Sequence, residues 1–225
     1  MAQKLYDEIY REQKLYNKIY NAKEAYITFY KGFRTHKHIR KNLKSNQISQ
    51  QFKERIMLAV TEVNGCEICS YGHTKYALEQ GLTNEEIKSF LTGNAENISG
   101  DEMPAIIFAQ HYADTKGHPS KEAWNRIVQE YGNDKALGVL GAIRMIMAGN
   151  AYGIAISAFK NRMKGKKVKQ TSLSYELKMI LSLIPAMPLV LIHSIISNLL
   201  KTPLIDFKEN DDDEKSADTS KSFIQ

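Results

Sequence analysis

Between Glu54 and His73 the chain reads Glu54-Arg-Ile-Met-Leu-Ala-Val-Thr-Glu-Val-Asn-Gly-Cys66-Glu-Ile-Cys69-Ser-Tyr-Gly-His73. Upstream, Phe52, Ile56, Ala59 and Val63 recur at spacings of three and four, one stripe of a helix over about Ser49–Val63 that also carries Glu54. Asn64-Gly65 interrupts that pattern as turn chemistry does, and Asn64 is placed to cap a second helix through Cys66, Cys69, His73, Tyr76 and Ala77. On a helix, residues three and four apart share a face, so Cys69 neighbours both Cys66 and His73. Cys66 stands at the helix start, where unpaired N–H groups and the helix dipole favour a thiolate. Histidine is the side-chain type suited to moving a proton near neutral pH, which makes His73 a candidate relay, and a short antiparallel connection would fold Glu54 back over the thiols as a base.

Outward from this stretch the same helical spacing persists, and strict apolar–polar alternation is scarce, so the fold class is all-α. Gly81 is read as ending the cysteine-bearing helix, and Thr83 with Glu86 forms a capping box for the next. Further helices are predicted over about Ala22–Phe33, Pro104–Thr115, Lys121–Tyr131 and Lys135–Arg162, the last with a break at Gly149-Asn150. The N-terminus nearly repeats itself, Lys4-Leu-Tyr-Asp-Glu-Ile-Tyr10 then Lys14-Leu-Tyr-Asn-Lys-Ile-Tyr20, which reads as an N-terminal helix over 1–21. Residues 22–165 form the compact domain, a hydrophobic helical extension occupies 172–204, and the acidic tail 206–225 is expected to be disordered.

The chain has 225 residues, ordinary globular composition and two cysteines, and needs no disulfide scaffold to fold. A bridge across so short a loop constrains the unfolded chain little, which points the pair toward redox or metal chemistry. The charged N-terminus MAQKLYDEIYREQ has no apolar core of a secretory signal, so a cytoplasmic location is expected. The net charge of +6 is uneven, because Asp206–Gln225 holds seven acidic and three basic residues. The densest basic run, Lys160 to Lys169, reads as a solvated helix end, and with no recognised binding motif beside it no nucleic-acid partner is expected. From 179 to 200 the chain reads MILSLIPAMPLVLIHSIISNLL, with no charged residue. That length can span a bilayer, but two prolines, a histidine, an asparagine and three serines dilute the signal. The expectation is a helix on an oligomer surface, with membrane-surface contact at the inner face as the alternative.

A CxxC pair also serves as a zinc half-site, but only His73 and one remote His or Glu remain to complete four ligands. A c-type haem needs His directly after the second cysteine, where Ser70 stands. No metal and no cofactor are therefore expected. Periodicity does not separate Glu54 from Glu62 or Glu67.

Resemblance does. Glu54, eleven intervening residues, then Cys66-x-x-Cys69-x-x-x-His73 resembles the signature of the alkylhydroperoxidase D-like (AhpD-like), carboxymuconolactone decarboxylase superfamily. Arg55-Ile-Met-Leu-Ala-Val before the motif, Asn64-Gly65, His73-Thr74 and Met147-Ala-Gly-Asn-Ala-Tyr-Gly153 agree with it over residues ~22–160. The resemblance implies an AhpD-like helical domain assembled as a homo-oligomer, trimer or hexamer. It also implies a peroxidase with a hydroperoxide substrate and a dithiol or lipoyl-type reducing partner. In its cycle Cys69 is oxidised to a sulfenic acid, Cys66 resolves it as a disulfide, and Glu54 with His73 relays the proton. Helix-end physics alone favours Cys66 as the thiolate; the family pattern favours Cys69. Peroxidases of this type carry a second histidine just before the latter cysteine, where this chain has Ile68, which motivates the alternative of a thiol-disulfide oxidoreductase or redox sensor with little peroxidase activity. The decarboxylase branch generally lacks the CxxC pair.

Overall fold

The computed structural model describes residues 4–5, 7–8, 13–93, 99–166 and 168–207. Among them are seven helices: α1 (Ala22–Lys44), α2 (Gln50–Asn64), α3 (Glu67–Glu79), α4 (Asn84–Thr92), α5 (Met103–Asp114), α6 (Lys121–Met163) and α7 (Leu173–Leu199). No described residue lies in a strand. The expected acidic tail falls almost wholly outside the described residues.

Local chemistry explains where the helices start. Asn21 with Glu24 and Thr83 with Glu86 close reciprocal capping boxes, while Ser49, Ser120 and Ser172 each accept a hydrogen bond from a first-turn N–H. Gly65 and Gly93 end α2 and α4 in the left-handed conformation. α6 is the axis of the fold and packs on α1, α2, α3, α5 and α7. Its central residues, Val139 to Met147, are mostly buried against Ile39, Ile56, Leu58 and Phe108. A second cluster surrounds Cys66 with Tyr16, Tyr20, Ala151, Ile154, Ala155 and Met179.

Three sequence expectations change, while the separation of the helices read at 121–131 and 135–162 holds: Gly132, with φ of 72° and ψ of 160°, is non-helical and kinks α6 between them. No break occurs at Gly149-Asn150, because the buried Asn150 side chain bonds across to Asn64 and Thr61 instead of competing for its own backbone. Asn64 does not cap α3; it ends α2, buried, holding Tyr20 and Asn150, and Cys66 takes the N-cap position without a side-chain cap.

The third concerns the helix expected over 1–21. Residues 13–20 are not helical, although described residues 4, 5, 7 and 8 are. This stretch lies across the α2–α3 turn, where Tyr16 N–H and Lys18 N–H donate to the carbonyls of Gly65 and Asn64. The turn is closed to any larger residue. A Cβ on Gly65 would sit 2.7 Å from Tyr16 N and 2.8 Å from Lys14 O, besides needing φ of +70°. Tertiary hydrogen bonds and the burial of Tyr16 and Tyr20 thus override the i,i+4 pattern of Leu15 and Ile19.

A candidate dithiol site at the α2–α3 turn

The turn sets Cys66 at the N-cap of α3, completely buried, and Cys69 one helical turn later, half-buried. Their sulfurs are joined as a disulfide with Cα atoms 5.3 Å apart. Of the two sulfur-bearing residues, Cys69 is the one that solvent and solutes reach. Burial therefore counts against Cys66 as the attacking thiol, although the helix end favours its ionisation.

α2 and α3 run back to back, and that brings Glu54 and His73 together. His73 Nδ1 lies 2.7 Å from Glu54 Oε2, and Lys53 Nζ lies 2.9 Å from Oε1. The Glu54 side chain is 3% exposed. Burial pushes its carboxyl pKa up, but the hydrogen bond and charge of His73, with those of Lys53, outweigh burial and hold it below the ordinary glutamate value. An ionised Glu54 accepts from Nδ1–H and so fixes the neutral imidazole in the tautomer whose Nε2 is basic. His73 lies four residues after Cys69 on the same helix, the register for neighbouring side chains. A thiol, a base beside it and a buried carboxylate orienting that base are the parts of an activated nucleophile.

The two rival glutamates have other roles. Glu67 accepts from Tyr16 Oη at 2.7 Å and from Asn161 Nδ2, tying the first turn of α3 to the N-terminal segment and to α6. Glu62 is raised above its ordinary pKa by burial and has no histidine partner among its interactions. Beside Glu54, Arg55 reaches Glu86 and Glu102 at 3.1 Å each, which locks α2 to α4 and α5.

The sequence reading assigned no site role to the floor of this arrangement. Gly153 of α6 faces both sulfurs: a Cβ there would stand 2.7 Å from Cys66 Sγ, 2.8 Å from Cys69 Sγ and 3.2 Å from Ile68 Cγ2. Ser157, one turn on, accepts the Ile68 N–H at 3.1 Å and satisfies an otherwise free donor of the first turn. In the sequence Gly153 entered only as the last residue of the Met147–Gly153 stretch that resembles the superfamily.

Gly153→Ala carries a specific expectation. With the sulfurs bonded to each other neither can swing away, so the methyl overpacks the site and destabilises the oxidised protein by about 1–3 kcal/mol. Reduced sulfurs can separate and accommodate part of it. Thermal unfolding of both redox forms should show the larger Tm drop in the oxidised one; equal drops would remove the sulfur contact as the cause.

Among the described residues no group of three His, Cys, Asp or Glu side chains is placed to hold a metal ion. A cavity of about 610 Å³ lies elsewhere, lined by Tyr20, Lys31, Tyr112, Lys116 and Arg144 among others, and contains none of the four candidate residues.

Residues 29–107 match the Carboxymuconolactone decarboxylase family. An uncharacterized protein of Bacillus subtilis (strain 168), YdfG, is 25% identical to this chain over 128 residues, which cover 56% of this chain and 86% of that protein. No solved structure matches the chain significantly. The matched region runs from within α1 to the start of α5 and contains Glu54, Cys66, Cys69 and His73, so over residues 29–107 this chain is similar to the carboxymuconolactone decarboxylase family of the AhpD-like superfamily.

Proposed function

We propose that the chain is a thiol-dependent peroxidase that reduces small or organic hydroperoxides through the Cys66/Cys69 pair. The observation that carries this reading is the line Glu54–His73–Cys69: a buried carboxylate 2.7 Å from an imidazole, which shares a helical face with the more accessible of two bonded sulfurs.

In the proposed cycle His73 Nε2 takes the Cys69 thiol proton, and the thiolate attacks the distal peroxide oxygen. The O–O bond breaks, Cys69 becomes a sulfenic acid, and the leaving alkoxide takes the proton from His73 to depart as the alcohol. Cys66 then attacks the sulfenic sulfur, releases water and closes the disulfide. A dithiol partner reduces that disulfide by exchange and is itself left as a disulfide. Such a cycle needs a reducing compartment to regenerate it, and its role is antioxidant defence.

Purified protein should consume cumene hydroperoxide in the presence of excess dithiol, at a rate proportional to enzyme. No consumption by fully reduced protein would end this reading.

A second reading rests on Ile68. It is 40% exposed beside Cys69, and it supplies an apolar surface where a peroxidase relay would gain from a proton-carrying group. An exposed apolar side chain beside the half-buried Cys69 suits docking of a partner's thiol, so the alternative is a thiol–disulfide oxidoreductase or redox sensor. Reduction of insulin disulfides without peroxide consumption is its expected signature. Under the peroxidase reading Ile68→His should raise the rate of peroxide reduction; under the exchange reading it should leave insulin reduction unchanged or slower.

A further inference from the structure

Helix α7 is amphipathic in the wrong sense for a soluble protein. Its buried residues are Glu176, Met179, Ala186, Val190, Ser194 and Ser197, one stripe at spacings of three, four and seven. That inward stripe is rich in small and polar groups and is held by polar bonds. Glu176 pairs with Arg162 at 2.8 Å, Tyr30 Oη donates to Ser197 Oγ at 2.7 Å, and His193 stacks on Tyr30 with ring centres 4.0 Å apart. The outward face is the apolar one. Of the twenty large hydrophobic residues exposed among the described residues, twelve lie between Leu173 and Leu200. Leu181, Ile184, Leu191, Ile192, Ile195 and Leu199 are all at least half exposed. α6 also contains an apolar window long enough to cross a membrane, but 83% of that window is buried, against 22% for α7. The first is a core helix; the second lacks its cover.

The surroundings of α7 say what the cover is. Leu183 and Met187 form one wall of an apolar groove of about 510 Å³, opposite Phe29, Phe33 and Met145. His36 lines that groove and also the adjoining depression on α1, whose other walls are Lys37, Arg40, Lys41, Lys44 and Ser45, with Lys41 paired to Asp134 at 2.8 Å. Apolar ridge, groove and basic strip are therefore continuous. Lys160, Lys164 and Lys169 are exposed just before α7, and Lys201 just after it.

We propose that this surface docks on an anionic membrane, with α7 lying in the plane of the interface. Apolar side chains would enter the acyl boundary while the basic strip meets lipid phosphates. The helix is about 40 Å long, enough to span, but it does not stand free to do so. Tyr175 Oη bonds Tyr20 O at one end, and Arg34 bonds the carbonyls of Thr202 and Pro203 just past the other. Spanning would draw α1, with Lys31, Arg34, Lys37 and Arg40, into hydrocarbon. A two-fold contact between copies is the competing cover. If it covered this whole continuous surface it would bring the basic strips of both copies into one interface, which charge repulsion opposes and lipid phosphate relieves.

The test is flotation of the full chain with phosphatidylcholine vesicles, with and without phosphatidylglycerol. The expected result is co-flotation with the anionic vesicles and loss of binding at high salt. Lys37→Ala with Arg40→Ala should weaken binding about fivefold per charge removed. Ile184→Asp with Ile195→Asp should abolish it with helix content unchanged, since both residues face outward. Binding should be identical in Cys66→Ser and Cys69→Ser, which separates this proposal from the peroxidase reading. Failure of the wild type to float overturns it. If light scattering then gives an oligomer that Ile184→Asp/Ile195→Asp dissolves to monomers, α7 is an interface between copies of the chain.

Discussion

Cys69→Ser should reduce peroxide turnover to the uncatalysed rate, and Cys66→Ser should leave one round of oxidation per chain. The asymmetry follows from the proposed roles and from burial. Cys69 is the half-buried partner and shares a face with His73, whereas Cys66 is completely buried. Peroxide added to reduced Cys66→Ser should yield a sulfenic acid on Cys69, trapped by dimedone and counted by mass at one adduct per chain. The wild type should lose two titratable thiols per peroxide and give no adduct, because the disulfide forms first. In Cys69→Ser no adduct and no peroxide loss are expected. The steady-state rate of Cys66→Ser is the less informative number, since added dithiol can resolve the sulfenic acid from outside. An adduct on Cys66 in the Cys69→Ser protein would reverse the assignment and show that the helix-end thiolate, not accessibility, decides the order of attack.

Much of the candidate site was legible in the residues themselves. The register of Cys66, Cys69 and His73 follows from helical spacing, and Thr83 with Glu86 forms the capping box that the sequence predicts. Glu54 was not separable from Glu62 or Glu67 by period, because a helix period says which side a residue is on and not what lies across from it. Three dimensions separate them: one finds a histidine, one a tyrosine and an asparagine, and one has no histidine. The N-terminal stretch was misread for the converse reason. Leu15 and Ile19 have helical spacing, yet Tyr16 and Lys18 bond the α2–α3 turn, and long-range partners outweigh a local pattern of only two pairs. Gly153 was hidden because a glycine that exists to make room leaves no pattern of its own. α7 was recognisable as apolar, but the direction of its apolar face depends on which residues meet α1 and α6, and only packing reveals that.

Glu54→Gln should lower turnover about a hundredfold while leaving both thiols able to form the disulfide. The amide oxygen can still accept from His73 Nδ1–H, so the tautomer survives, but the charge that stabilises a protonated imidazole is gone. Glu54→Ala removes both and leaves Nδ1–H facing a buried void, so it should be slower still and cost about 2 kcal/mol of stability. The pH dependence gives an independent check. Glu54 has a folded pKa below its unfolded one, because His73 and Lys53 outweigh the opposing effect of burial. Its contribution to stability is therefore complete above the unfolded glutamate value, about 4.3, and is lost as pH falls through the lower folded value. Across that acid window the wild-type Tm should fall more steeply than that of Glu54→Gln, and the two should run parallel above it. Parallel curves throughout would mean that Glu54 carries no net charge stabilisation from His73. A turnover close to wild type in Glu54→Gln would mean that the imidazole needs only an acceptor, and that the carboxylate's charge has no part in activating Cys69.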